Sequence, residues 1–307
     1  MKKILAFDIG GTSIKSALFD ETGQLLKKWS FDTPVGDHEE AIFEAIASEI
    51  DKQNISKDDI LGIGVGTPGP VKGTTVYGAV NLGWDTLNVK VHLEKALGYK
   101  VPVFLGNDAN IAALGEYSKR PENIASMLFV TLGTGVGGGI VLDGKMHEGA
   151  NGSAAEIGHM QMINDGILCN CGLSGCLETL TSATAVTRLM KEALHRGEES
   201  SIKDIEYVNA KTVFDHAKNG DDVALSVVDY VAKMLGKGLA RINAVIDVPL
   251  ILIGGGLSNA GEYLLEKVRT HYDTYAFKGV KDTEIKLAEL GNDAGIYGAL
   301  YRVMQNG

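Results

Sequence analysis

Cysteine is nearly missing from this 307-residue chain: there are three, all between positions 169 and 176. An odd number of thiols in one short block argues against a disulfide framework. No apolar run reaches membrane-spanning length. Basic side chains are in the minority, with 29 Lys and Arg against 39 Asp and Glu and a net charge of −10. That balance argues against a general affinity for nucleic acid or anionic membrane, although backbone N–H groups and Mg²⁺ can still hold an anionic nucleotide locally. A Walker A sequence is absent, and no stretch is rich enough in Pro, Gly or Ser to separate independent modules. The opening MKKILAFDIGG lacks the pattern of a signal peptide, since its apolar run is short and stops at Asp8. A soluble, cytoplasmic protein is the expectation.

What is present is enough apolar surface, 45% of residues, for sizeable cores, in a length that allows two domains. Ile4 to Asp8 reads as a buried strand. A turn at Gly10-Gly11-Thr12, a strand from Ile14 to Phe19, a turn at Glu21-Thr22-Gly23 and a strand from Gln24 to Trp29 complete an antiparallel meander. His38 to Gln53 reads as an amphipathic helix through Ile42, Ile46 and Ile50. Leu61 to Val65 is a strand before a turn at Gly66 to Pro70. Leu87 to Leu97 is a helix, Val101 to Leu105 a strand, and Ala109 to Tyr117 a helix.

The opening plan then returns. Met127 to Thr131, a glycine turn at Gly133-Thr134-Gly135, Gly138 to Leu142 and a hairpin turn at Asp143-Gly144 repeat strand, glycine turn, strand, tight turn. Two copies predict two similar α/β lobes facing one another. Further on, Ala183 to His195 is predicted helical, Arg196 to Asn209 a surface connection, and Asp222 to Ile246 a long helix. Pro249 to Ile253 is a strand into a third glycine turn, Gly254-Gly255-Gly256. Glu262 to Tyr272 is a helix, Ile285 to Leu290 a strand and Asp293 to Met304 a final helix.

Glycine after a buried strand lets backbone N–H groups approach a phosphate. One such turn is more often just a tight turn; three, two of them in repeated hairpins, point to a nucleotide. Gly133, Gly135 and Gly138 satisfy G-x-G-x-x-G, but IVLDGK follows where a dinucleotide fold needs a helix. The phosphate site is therefore expected between two hairpin turns.

Cys169, Cys171 and Cys176 need one imidazole to make a tetrahedral Zn²⁺ set. His159 is the candidate, and His147 is its nearest competitor among six other histidines. Asp108 follows an apolar strand and starts a helix, so it is either a helix cap or a general base accepting a proton from an attacking hydroxyl. Asp8 ends the first strand in the same way, where it either organises Mg²⁺ or fixes the turn. Glu156 and Glu178 flank the cysteine loop and suit hydroxyl recognition; the alternative is solvated surface acids.

Taken together, these residues resemble the ROK family (repressors, open reading frames and sugar kinases) of the sugar kinase, actin and heat-shock ATPase superfamily. The resemblance runs along the whole chain through LAFDIGGTSIK at 5–15, GVGTPGPV at 64–71, NLGW at 81–84 and NDANIAALGE at 107–116. It continues in VTLGTGVGGGIV at 130–141, EIGH at 156–159, CNCGLSGCLE at 169–178, LIGGG at 252–256 and LGNDAGIYGA at 290–299. NLGW and the full-length pattern look most like bacterial glucokinases of that family.

The resemblance implies an α/β, two-lobed actin/hexokinase-like ATPase fold with a ribonuclease H-like repeat in each lobe and a cleft between them. Residues 1–118 would form the small lobe, with the helix over 293–307 packing back on it. Residues 119–292 would form the large lobe, with a zinc loop over 156–178. It implies Asp108 as base on a sugar 6-hydroxyl, with Gly66, Asn81, Asn107, Glu156, His159 and Glu178 around the sugar. Asp8, Gly10, Gly11, Thr12, Lys15, Thr134, Gly135 and Gly255 would surround ATP·Mg²⁺. His159, Cys169, Cys171 and Cys176 would hold a structural Zn²⁺, with the second nitrogen of His159 turned to the sugar. A homodimer or homotetramer is expected. Many relatives carry Glu before Asn-Asp where this chain has Gly106, which leaves open how Asp108 is held.

Three readings compete with glucose phosphorylation. A repressor of the family carries a DNA-binding module before the first ATPase strand, and with that strand beginning at Ile4 none is expected. A sugar sensor without catalysis and a kinase for another hexose (N-acetylmannosamine, fructose, allose or a β-glucoside) stay open, because a few side chains can change sugar choice.

Overall fold

The computed structural model describes residues 2–34, 39–121 and 123–306. Strands β1 (Lys3–Ile9), β2 (Ser13–Asp20) and β3 (Leu25–Asp32) form the antiparallel meander, with Asp8 opposite Lys15. Helix α1 (Glu40–Asp51) buries Ile42, Phe43, Ile46 and Ile50 as its four-residue spacing requires. His38, the expected start of this helix, lies outside the described residues. β4 (Ile60–Thr67) runs parallel to β1 and continues two residues beyond the expected strand. Gly66 and Thr67 are thus in the ladder, paired with Gly106 and Asn107, and the turn begins only at Pro68.

The next segment departs from expectation. β5 (Val71–Lys72), β6 (Thr75–Ala79) and β7 (Trp84–Asn88) make a small antiparallel sheet that the sequence reading lacked. The helix expected from Leu87 is two elements. Leu87 is a strand residue opposite Val76, and Asn88 caps α2 (Val89–Leu97) by accepting from the Val91 N–H at 3.1 Å. Pairing with β6 overrides the helical spacing there. β8 (Val103–Asn107) and α3 (Asp108–Ser118) follow.

β9 (Met127–Leu132), β10 (Val136–Leu142) and β11 (Lys145–Met146) repeat the meander. Both turn residues between β10 and β11 have positive φ, 49° at Asp143 and 78° at Gly144, the two-residue hairpin geometry that matches strand twist. Then come α4 (Leu177–Thr181), α5 (Ala183–His195), α6 (Ala210–Lys218) and α7 (Asp222–Ile246). The stretch before α6 has no helix or strand but is only partly a surface connection: Ile202 and Val208 are buried in the core. β12 (Leu250–Gly254), α8 (Glu262–Tyr275), β13 (Glu284–Leu287) and α9 (Ala294–Asn306) complete the chain. The last strand stops at Leu287, three residues short of the expected Leu290, where its pairing with β12 ends.

The repeat is topological as well as local. One sheet has the order β3-β2-β1-β4-β8 and the other β11-β10-β9-β12-β13, each a meander followed by two parallel strands. The molecule is two-lobed, with a core behind each sheet. A third core lies between the sheets, where Ile111, Leu114 and Tyr117 of α3 meet Ile296, Leu300 and Val303 of α9. Gly115 and Gly298 let these helices nearly touch: a Cβ on either would strike the backbone of the other helix. The parallel strands β1, β4, β9 and β12 point their C-terminal ends at the cleft, where open α/β sheets bind ligands.

Candidate active site

A cleft of about 1080 Å³ opens at those strand ends. On one wall stand Asp8, Gly10, Lys15 and the turn Pro68-Gly69-Pro70; on the other Gly133, Gly135, Glu156, His159, Glu178 and Gly255. Asn81, Asn107 and Asp108 also line it.

Asp108 reaches the cleft because Asn107 takes the capping role. The Asn107 Oδ1 accepts from the N–H groups of Ala109 and Asn110 at 3.0 and 3.3 Å, while its Nδ2 donates to the Gly69 carbonyl at 3.1 Å. Asn107 therefore ties the 68–70 turn to α3. Asp108 is the first residue of α3, with an oxygen 2.8 Å from the Ala109 nitrogen. Water reaches its side chain, but the cleft walls surround it. That burial pushes the Asp108 carboxyl up, and the Ala109 N–H and the Asn107 side chain oppose the shift. Gly106 lies on β8 facing Ile111, whose side chain would have to move for any larger residue there. Asp108 is held by α3 and not by position 106.

Burial likewise pushes Asp8 up to about 6, with Lys15 opposing and Asp108 adding to the rise. The Lys15 Nζ sits 3.8 Å from Asp8 Oδ2. Glu156 is raised by burial, opposed by His159 and reinforced by Asp108 and Glu178. Asp8, Asp108, Glu156 and Glu178 thus converge on one cleft, with Glu116 at its inner end, an arrangement that suits proton transfer and a hydroxyl-rich or cation-bearing ligand.

The loop over 156–178 folds back on itself through bridges Gln161 to Cys176 and Leu168 to Ser174. It brings the ring of His159 and the three thiols together, all ligand atoms within 4.8 Å of one another. His159 Nδ1 is 3.6 Å from Cys169 Sγ, and Cys171 Sγ is 3.6 Å from Cys176 Sγ. His147 is not in the cluster. The other ring nitrogen, Nε2, faces Glu156 at 4.0 Å. Burial pushes the Cys176 thiol up to about 12, whereas the Leu173 N–H holds Cys171 down. Glu178 joins this loop to the glycine turn: its Oε2 accepts from the Val136 N–H at 3.0 Å, and a Cβ at Gly135 would collide with that oxygen. Gly255 has φ +82° and lies against the Leu132 backbone, so a side chain there is doubly excluded.

Four expected residues stand off this wall. Gly66 is buried in β4 behind Asp8, because its strand runs on to Thr67. Gly11 and Thr12 sit at the exposed outside of the first turn, Gly11 packed on Asn81. Thr134 opens on a second cavity of about 1030 Å³, formed by Ala183, Thr184, Arg188, Phe214, Lys218, Leu257 and their neighbours. Gly256 and Asn259 line both cavities. Sequence reading missed the second cavity because α6 was not foreseen; of its lining, Thr134 and Gly256 come from glycine turns the sequence marks.

The family model for the ROK family matches residues 4–306. The chain is 43% identical to a glucokinase of Halalkalibacterium halodurans, over 97% of this chain and 94% of that one. Among solved structures it resembles a ROK family glucokinase of Streptomyces griseus in complex with glucose and AMPPNP, with a TM-score of 0.78 and 32% identity over 97% of each chain. A ROK hexokinase of Thermus thermophilus gives a TM-score of 0.80 and 31% identity over 98% of this chain and 97% of that one. Fold, cleft and sequence agree: the chain belongs to the ROK family.

Proposed function

We propose that this protein phosphorylates the 6-hydroxyl of glucose with MgATP, and that Asp108 is the general base. The observation that carries this reading is Asp108 at the head of α3. Asn107 carries the helix cap, and Asp108 faces a cleft with glycine turns on both walls and the Glu156, His159 and Glu178 side chains on one of them. Asn81, Asn107, Glu156, His159 and Glu178 would hold the sugar hydroxyls. Asp8, Lys15 and the turns at Gly10, Gly135 and Gly255 would face the phosphates. The second cavity, with Phe214 and Leu257 in its wall and Thr134 and Gly256 at its junction with the cleft, suits the nucleoside end. Likeness to the Streptomyces griseus protein, solved in complex with glucose and AMPPNP, supports a sugar and a nucleotide as the ligands here.

In this reading Asp108 accepts the 6-hydroxyl proton as the oxygen attacks the γ-phosphorus, the bond from that phosphorus to the β,γ-bridging oxygen breaks, and ADP leaves while the turns hold the transferring group in line. Mg²⁺, held near Asp8, would neutralise charge on the phosphates. The Cys₃His set fits Zn²⁺: the 3.6 Å between the Cys171 and Cys176 sulfurs is close to the roughly 3.8 Å edge of a tetrahedron with 2.3 Å Zn–S bonds, and all four ligand atoms lie within 4.8 Å of one another. Bound there, the ion would be structural, fixing the ring of His159 so that Nε2 faces the sugar. We assign the small lobe to 1–118 and the large lobe to 119–292, with the last helix returning to the small lobe.

The test is ATP-dependent ADP release with a panel of glucose, mannose, fructose, allose, N-acetylglucosamine and N-acetylmannosamine. Glucose is expected to give the highest kcat/KM. A higher value for another hexose reassigns the substrate, and no turnover with any of them overturns kinase activity on these sugars.

A further inference from the structure

Glu116 is nearly fully buried, 2% exposed, two turns along α3 from Asp108. A buried carboxylate needs partners. It takes two backbone N–H groups from a segment distant in the chain: Oε2 accepts from Glu289 at 2.9 Å and Oε1 from Leu290 at 2.8 Å. These residues lie on the chain's second passage between the sheets, from β13 to α9; α3 is itself on the first, from β8 to β9. The passage then delivers two contacts to the phosphate side of the cleft. The Asn292 carbonyl accepts from Lys15 Nζ at 3.1 Å, and Lys15 Nζ stands 3.8 Å from Asp8 Oδ2. Gly295 presses so closely on the Asp8 carboxylate that a Cβ would collide with it.

We propose that Glu116 is a positioning residue: it clamps the second interlobe passage to α3 and thereby sets Lys15 and Asp8 for the phosphate end of the nucleotide. The inference rests on the reading of Asp8 and Lys15 as phosphate-side groups. It adds a residue that borders the inner end of the cleft, buried under its two N–H partners, and acts through the backbone of 289–292. Burial pushes the Glu116 carboxyl up while its two N–H partners hold it down, so the clamp is a paired group and not a stray charge.

Glu116→Gln keeps size but sets an amide NH₂ against one of the two N–H groups. Titration calorimetry with AMPPNP, with and without Mg²⁺, is the measurement. In the wild type Mg²⁺ is expected to tighten AMPPNP binding. In Glu116→Gln that gain should fall about tenfold while glucose affinity stays within about twofold, and amide exchange over 289–290 should quicken. A Glu116→Gln/Lys15→Met double variant should lose no more of the Mg²⁺ gain than Lys15→Met alone. Additive losses, or an unchanged Mg²⁺ gain with only a lower Tm, would make Glu116 structural and overturn the proposal. Should the Gln variant fail to fold, Glu116→Asp, one methylene shorter, is expected to shift the Mg²⁺ gain in the same direction by less; no shift overturns the proposal as well. A wild type without any Mg²⁺ gain would instead sink the phosphate-side reading of Asp8, which the wild-type titration alone reveals.

Discussion

Asn107 and Asp108 divide two duties that either side chain has the chemistry to perform. The amide caps α3 with its oxygen and holds the 68–70 turn with its nitrogen, which leaves the carboxylate beside it facing the cleft with a backbone contact to the Ala109 N–H. Asp108→Asn is therefore expected to fold and to bind glucose normally in calorimetry, and to lose about 10²–10⁴-fold in kcat, the usual scale for a lost general base. Turnover within a few-fold of wild type would remove Asp108 from that role. The pH profile follows from the same environment. Burial raises Asp108 and raises Asp8 to about 6, and both are needed ionised. Activity should then be full well above pH 6 and be lost as pH falls through that region, higher than an unperturbed aspartate near 3.9 would give. An acid limb of kcat/KM below about pH 4 would contradict this. The candidate carboxylates were legible as residue types at strand ends, but the capping question was not. Asn and Asp are equally good caps, and only the direction of each side chain separates them.

At the scale of an element, the loop over 156–178 does most with least regular structure. Glu178 at its end reaches the Val136 N–H, so the cysteine cluster and the glycine turn after β9 are mechanically joined. Cys171→Ala is expected to lower the zinc content of the purified protein and to raise the sugar KM with a smaller change in kcat, because His159 and Glu178 lose their anchor. Full metal content with an unchanged KM would show that the loop holds without a complete ligand set. Three cysteines and a histidine within 18 positions announced this element. The small β5–β7 sheet announced itself poorly: its strands are short, and Leu87 fits a helical pattern as well as a strand until its partner Val76 is present. The α6 helix was overlooked behind a polar stretch whose buried anchors, Ile202 and Val208, are isolated apolar residues without a period.

For the whole molecule, two sheets of equal topology meet through α3 and α9 with the cleft between them. Groups proposed for sugar and phosphate stand on both walls, so ligand binding should draw the lobes together and exclude water from the transferring phosphoryl. Small-angle scattering is expected to show a smaller radius of gyration with saturating glucose than without it. An unchanged radius would mean that the cleft is already closed before sugar arrives.

Local features carried their own message in the sequence. The repeated strand, glycine turn and strand gave the two lobes, the thiol block gave three of the four clustered donors, and the motifs from Leu5 to Ala299 gave the family resemblance. Each depends on neighbours a few residues apart, where backbone geometry and side-chain chemistry act directly. Tertiary structure alone decided what depends on distant partners. It set Gly66 back behind Asp8, turned Thr134 toward a second cavity, chose His159 over His147, and placed the amides of residues 289 and 290 on Glu116. A contact across 173 or 174 positions leaves no period or spacing to read, because it exists only once both lobes have packed against α3 and α9.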